Sequence, residues 1–254
     1  MTEATIIEDV AGGVRLIRWN RPAKKNALTG AMYDAATAAL EDADANSETI
    51  GAVVFAGAPG AFTAGNDVAD FFAAGTAPRE SFSEMPALRF IRQLARTRTP
   101  LVAAVDGLAI GVGTTLTLHC DLVYVSPQAH FRMPFVELGV VPEAAASHLL
   151  PRRIGLARAA SLLLLCEPFD GAAAVAMGLA NGLLPSDDLE AHALAQAARL
   201  AALPRRAVQA TRALMRGEQG AVEAAIEAEA QAFEAGLRDP ETQARLARFL
   251  SGKA

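Results

Sequence analysis

Histidine, cysteine and aromatic residues are scarce in this chain of 254 residues: four His, two Cys, two Tyr and one Trp. Cys120 and Cys166 stand in the apolar runs "LTLHCDLVYV" and "SLLLLCEPF" without CxxC spacing. That pattern excludes a disulfide framework and reads as reduced core thiols of a cytoplasmic protein. His119, His130, His148 and His192 are scattered, with no HExxH and no Cys/His set at zinc spacing, so no metal is expected. A serine hydrolase would show a nucleophile elbow such as GxSxG, and none occurs. Long apolar runs are missing too. The longest, "LVAAVDGLAIGVGTTLTLHC", is broken by Asp106 and three glycines, which argues against a membrane partner. "MTEATIIEDV" lacks the basic-then-apolar order of a signal peptide, so none is expected. Positive charge is in deficit, with 23 Lys and Arg against 28 Asp and Glu and a net charge of -5. No nucleic-acid partner is expected on that balance, and an anionic ligand would need positive charge gathered locally.

Small aliphatic residues fill the gap. A hydrophobic share of 52% with only 6% aromatic predicts a globular protein built largely of Ala-rich helices. "TIIEDV" and "VRLIRW" flank Ala11-Gly12-Gly13 as a hairpin. Thr29 is placed to cap a helix whose inner face carries Met32, Ala36 and Leu40. "GAVVFAG", "TPLVAAVDG" and "DLVYVSP" read as buried strands, and a helix is predicted over roughly 86–97. Strand, Gly-rich turn, helix, strand is the order of an α/β protein whose chemistry lies at the strand-to-helix turns. From about residue 155 the pattern predicts helices alone, suited to packing on their own core or on a partner subunit.

Two Gly-rich loops follow strands. In "VDGLAIGVGTTL" Gly107, Gly111 and Gly113 open a helix, but neither a dinucleotide fingerprint nor a P-loop is complete. A tight packing turn is one reading; a set of anion-binding N–H groups is the other. "FTAGNDVADF" supplies a second set around Ala64, Gly65 and Asn66. Together the loops suggest two backbone N–H groups converging on one oxygen, a way to stabilise an oxyanion without a charged side chain. His119, among helical leucines, reads as core, and Arg152 and Arg153 as caps or solvent-facing charges.

These landmarks in combination resemble the crotonase superfamily, the enoyl-CoA hydratase/isomerase family. They are "WNRPAKKNALT" at 19–29, "AFTAGNDVADF" at 61–71, "TPLVAAVDGLAIGVGTTLTLHCDLVYVSPQAHFRMPFVELGVVPE" at 99–143 and "AAAVAMGLANGLLP" at 172–185. The resemblance implies an α/β fold, a spiral of ββα units over residues 1–195 that holds the acyl-CoA site. A helical region over 196–254 would close it and mediate a homotrimer or dimer of trimers. It implies an acyl-CoA thioester as substrate, with coenzyme A part of that substrate rather than a cofactor. The thioester oxygen would sit between the N–H groups of Ala64 and Val112. The CoA moiety would lie along Ala23, Lys24, Lys25 and Ala27 and the Gly65, Asn66, Asp67 and Val68 segment, with Gly111, Thr115 and Phe135 lining the site. Phe249 and Lys253 would reach a neighbouring subunit's CoA, and residues 72–92 would line the acyl pocket.

Hydratases of that family use two glutamates, at the positions held here by Thr115 and Phe135. Their loss turns the expectation from hydration towards isomerisation, because adding water takes two positioned acid/base groups. "PFVELGVVPEAAAS" resembles the peroxisomal type of Δ3,Δ2-enoyl-CoA isomerase, which implies a single catalytic carboxylate at Glu143. The plain alternative for Glu143 is a first-turn helix charge after Pro142. Glu137 reads as a solvated carboxylate. A hydratase or other acyl-CoA lyase and a non-catalytic acyl-CoA binding protein remain the competing readings.

Overall fold

The computed structural model describes residues 4–67, 69, 70, 72 and 79–250, and leaves undescribed the side chains of 4–6, 79–81, 249 and 250. Val68 and Lys253 therefore lie outside the described residues, as do the side chain of Phe249 and part of the 72–92 segment. Strands β1 (Ala4–Val10) and β2 (Val14–Asn20) form the expected hairpin, paired from Ala4 with Asn20 to Val10 with Val14. β2 continues in parallel into β3 (Ala52–Gly57), β5 (Leu101–Val105), β7 (Leu122–Val125) and the two-residue β10 (Gly182–Leu183), a six-stranded sheet in the order β1-β2-β3-β5-β7-β10. A second sheet runs β4 (Ala61–Thr63), β6 (Leu108–Ile110), β8 (His130–Arg132), β9 (Phe169–Asp170).

Each central strand of the large sheet is followed within a few residues by a short strand of the small one: β3 by β4, β5 by β6, β7 by β8. Because β4, β6 and β8 pair in parallel, the three loops that leave their C-terminal ends emerge on one side. That repeat is the predicted spiral of ββα units. β9 and β10 correct the expectation of helices alone beyond residue 155. Segments this short carry no readable period, and pairing with β8 and β7 makes them strands.

Both faces of the large sheet are covered, and the two-residue side-chain period divides β3 between them. Ala52, Val54 and Ala56 face α7 (Ser186–Ala201), meeting Leu189, Ala193 and Ala197. Val53 and Phe55 face α1 (Gly30–Ala45) and α2 (Pro86–Arg96), in the larger core with Met32, Tyr33, Leu40, Phe90 and Leu94. Phe55 stacks on Trp19, and the edge of Phe90 closes on both rings at 6.3 and 6.0 Å. Thr29 caps α1 as expected, accepting from the Met32 N–H at 3.4 Å.

Further helices are α3 (Val112–Thr115), α4 (Ala146–Ile154), α5 (Leu156–Leu164), α6 (Gly171–Ala176), α8 (Arg205–Arg216), α9 (Gln219–Arg238) and α10 (Pro240–Leu250). The boundary expected at 195/196 falls inside α7, whose inner face belongs to the sheet core. α9 turns back to lie against α2 and α4.

Candidate active site

The loop after β4 is built on the 22–29 segment. Pro22–Lys24 form a 3-10 turn, with Ala23, Lys24 and Lys25 exposed, Ala27 half-buried, and Lys25 and Asn26 left-handed at φ 50° and 55°. Asn26 is fully buried. Its amide donates to the carbonyls of Ala58 (3.0 Å) and Ala61 (2.6 Å), while its own carbonyl accepts from the Thr63 hydroxyl at 2.7 Å. Leu28 and Asn66 then bridge in parallel, through Leu28 N–H to Gly65 O at 2.8 Å and Asp67 N–H to Leu28 O at 2.9 Å. The Arg21 guanidinium beside Asp67 (2.6 Å) holds that carboxyl below the usual range, and Lys24 adds to the effect. The positive charge that the acidic chain lacks overall is therefore gathered at this loop.

These bonds decide which N–H groups are free. The Ala64 N–H donates to the Lys25 carbonyl at 2.9 Å. An amide proton spent in that way is not open to a second oxygen, which corrects the expectation for Ala64. The Gly65 N–H goes to the Thr63 hydroxyl at 3.0 Å. Asn66 N–H has no acceptor among the described residues, and its side-chain oxygen is held by the Tyr33 hydroxyl.

Facing it is the turn after β6. Gly111 has φ 57° and ψ -116°, a conformation open to glycine and strained for other residues. It throws Val112 into the first position of α3, whose N–H has no partner within the helix and none among the other described residues. The two loops touch. Gly65, at φ 92°, lies so close that a Cβ there would stand 2.8 Å from the Ile110 carbonyl oxygen. Val112 and Asn66 thus offer unspent N–H groups from adjoining loops, as the paired-donor reading expects, with Asn66 in the place assigned to Ala64.

Thr115 lies one helical turn beyond Val112 and is fully buried. Phe135, on the loop after β8, packs its ring 4.0 Å from where a Gly111 Cβ would be and meets Phe233 of α9 edge to face. Neither position carries a titratable group. Glu143 closes the site from the segment before α4. It is 8% exposed, with Oε1 buried and unpartnered, as is the neighbouring Thr115 Oγ1. Burial first and the charge of Glu229 second raise the Glu143 carboxyl from 4.5 to about 8, while the Thr115 hydroxyl works the other way. Glu143 stands three residues ahead of α4 with Ala144 and Ala145 left-handed between, which removes the reading of a solvated first-turn charge. Glu137 is exposed and paired with Arg132 at 2.6 Å.

A narrow, mainly apolar cavity opens beside Glu143, walled by Met85, Leu88 and Ile91 and by Ile226 and Phe233, with Glu229 in its lining. Part of the segment expected to form an acyl pocket lies on this wall. The larger cavity, between α8 and the 3-10 turn Leu116–His119 (Leu203, Val208, Met215, Arg212), holds none of the site residues. His119 is core, as expected: burial lowers it to about 4, and its Nε2–H donates to the Ala144 carbonyl at 2.8 Å.

Sequence reading missed Asn26, Tyr33 and Glu229. Glu229 left a trace: with Val222, Ile226, Phe233 and Leu237 it repeats at helical spacing on the buried stripe of α9, an odd place for a carboxylate.

The enoyl-CoA hydratase/isomerase family profile matches residues 9–252. Rattus norvegicus "Enoyl-CoA delta isomerase 2" is 34% identical over 207 residues, 81% of this chain and 52% of that protein, so the chain spans about half the rat protein's length. A Rhodobacter capsulatus "Probable enoyl-CoA hydratase" is 33% identical over 94% of this chain and 85% of its own. The crystal structure of an enoyl-CoA hydratase/isomerase from Pseudoalteromonas atlantica superposes with a TM-score of 0.90 at 35% identity, covering 98% of both chains. With the ββα spiral, the paired free N–H groups and the buried glutamate in place, the chain belongs to the enoyl-CoA hydratase/isomerase family.

Proposed function

We propose that the protein moves the double bond of a 3-enoyl-CoA into conjugation with the thioester, with Glu143 as the single acid/base group. Glu143 carboxylate takes a proton from C2. The electrons move onto the thioester oxygen, held by the N–H groups of Asn66 and Val112, and the protonated Glu143 returns its proton to C4. No charged side chain is needed at the oxygen, because oriented dipoles in a dry site suffice.

One observation carries this reading: the buried Glu143 carboxyl, raised to about 8, keeps an unpartnered oxygen, while Thr115 and Phe135 offer no second acid or base across the site and the other buried carboxylate, Glu229, is occupied by the Ala145 and Ser147 donors. A carboxyl raised to about 8 is strong enough as a base and readily gives the proton back. Lys24 and Lys25, exposed beside the Arg21–Asp67 pair, are the proposed contacts for the CoA phosphates, and the apolar cavity beside Glu143 takes the acyl chain. Hydration is the second reading, favoured by the hydratase name of the Rhodobacter capsulatus relative.

The test is Glu143→Gln, assayed with a 3-enoyl-CoA for isomerised product and with a 2-enoyl-CoA for hydrated product. Loss of isomerisation by about 10²–10⁴-fold is expected for a removed general base. Full activity in the variant overturns the assignment, and 3-hydroxyacyl-CoA as the main wild-type product favours hydration.

A further inference from the structure

Glu143 hangs on a strained support. Ala144 and Ala145, the next two residues, both sit in the left-handed region at φ 59° and 55°, where alanine is disfavoured. Such a conformation persists only when its surroundings dictate it. Here they do. From α9, Glu229 accepts the Ala145 N–H on Oε2 (2.6 Å) and both the Ser147 N–H (2.8 Å) and the Ser147 hydroxyl (2.5 Å) on Oε1. From the other side His119 donates to the Ala144 carbonyl at 2.8 Å. Glu229 is 6% exposed, and its oxygens take three donors from the segment that carries Glu143. Glu229 lies 84 and 82 residues from Ala145 and Ser147 in sequence.

We propose that Glu229 is a positioning residue for Glu143, gripping the Ala144–Ala145 turn so that the catalytic carboxyl points into the cavity. This rests on Glu143 acting as proposed above. Glu229 has a second influence through its charge. Burial raises the Glu229 carboxyl above its ordinary value, the three donors offset that in part, and its ionised form disfavours ionisation of Glu143 across the cavity wall. Among the described residues, the other groups facing Glu143 are Tyr33 from α1, held on Asn66, and the Thr115 hydroxyl from α3; His119, behind the turn, is neutral above pH 4. The nearby arginines of α2 are engaged elsewhere on α9, Arg92 with Glu227 and Arg96 with Glu223.

The experiment compares steady-state kinetics with a 3-enoyl-CoA across pH for wild type, Glu229→Gln, Glu229→Asp and Glu143→Gln, each checked for native circular dichroism. In Glu229→Gln a loss in kcat on the order of tenfold to a hundredfold is expected for a misaimed base, with KM within about twofold. The acid limb of its profile moves to lower pH, since the like charge is gone. Glu229→Asp, which keeps the charge and shortens the reach, loses kcat but keeps the limb in place. Should Glu229→Gln not fold, Ser147→Ala, missing one of the three donors, is expected to lose kcat several-fold at unchanged KM. Wild-type kcat and an unmoved limb in folded Glu229→Gln, or wild-type kcat in Ser147→Ala when it is the variant that folds, overturn the proposal. If Glu143→Gln is dead while that happens, only the positioning role fails; if Glu143→Gln is active, the role of Glu143 fails and takes this one with it.

Discussion

Glu143 is a carboxyl whose charged form is disfavoured by burial and by the carboxylate of Glu229. That has a sign for stability as well as for catalysis. Its folded value, about 8, exceeds the ordinary 4.5, so between those pH values the native state keeps a proton that the unfolded chain has released. Stability therefore falls as pH rises through that window, by on the order of 1.4 kcal/mol per pH unit from this group. Glu143→Gln removes the slope, and thermal melts are expected to show the variant above wild type at pH 8 and level with it at pH 4. For catalysis the same value places the acid limb of the wild-type kcat/KM profile near pH 8. At the paired donors, Val112→Pro deletes one N–H at a first helical position where proline is tolerated. A kcat loss of about 10²–10³-fold is expected with the fold retained, read by kinetics beside circular dichroism.

α2 joins the site to the core. Its Leu88 and Ile91 wall the cavity beside Glu143, while Phe90 and Leu94 pack under the sheet with Trp19 and Phe55. Phe90→Ala is expected to cost about 3–5 kcal/mol, measured by urea unfolding, because the fully buried ring leaves a cavity among rigid aromatics. Elements of this kind were legible in the sequence. Alternating segments gave the hairpin, short apolar runs gave the buried strands, Thr29 gave the start of α1, and the 86–97 segment matches Pro86–Arg96. β9 and β10 were illegible, because two-residue strands exist only through their partners in the sheets. At the site, the loops and Glu143 could be read from motifs, whereas the choice between Ala64 and Asn66 could not. It depends on a backbone bond from Ala64 to Lys25, residues 39 positions apart whose meeting is fixed by the buried Asn26.

The whole chain leaves an apolar remainder that one copy does not cover. Leu214 and Met215 on α8 are 84% and 82% exposed, and Leu156, Leu164 and Leu165 project around α5. A scatter of single exposed apolar residues is ordinary, but adjacent ones on a helix end are the usual composition of a subunit contact. We expect a trimer or a dimer of trimers by sedimentation, and Leu214→Asp with Met215→Asp to shift the protein toward the monomer. Among the described residues, no helix is long and apolar enough to cross a membrane. Isotope transfer tests the role of Glu143. A 3-enoyl-CoA carrying deuterium at C2 is converted in ordinary water, and the product is analysed by NMR. A 2-enoyl-CoA with deuterium delivered to C4 is expected, because a single desolvated Glu143 carries it there. A product hydroxylated at C3, or an isomerised product with no label at C4, contradicts it.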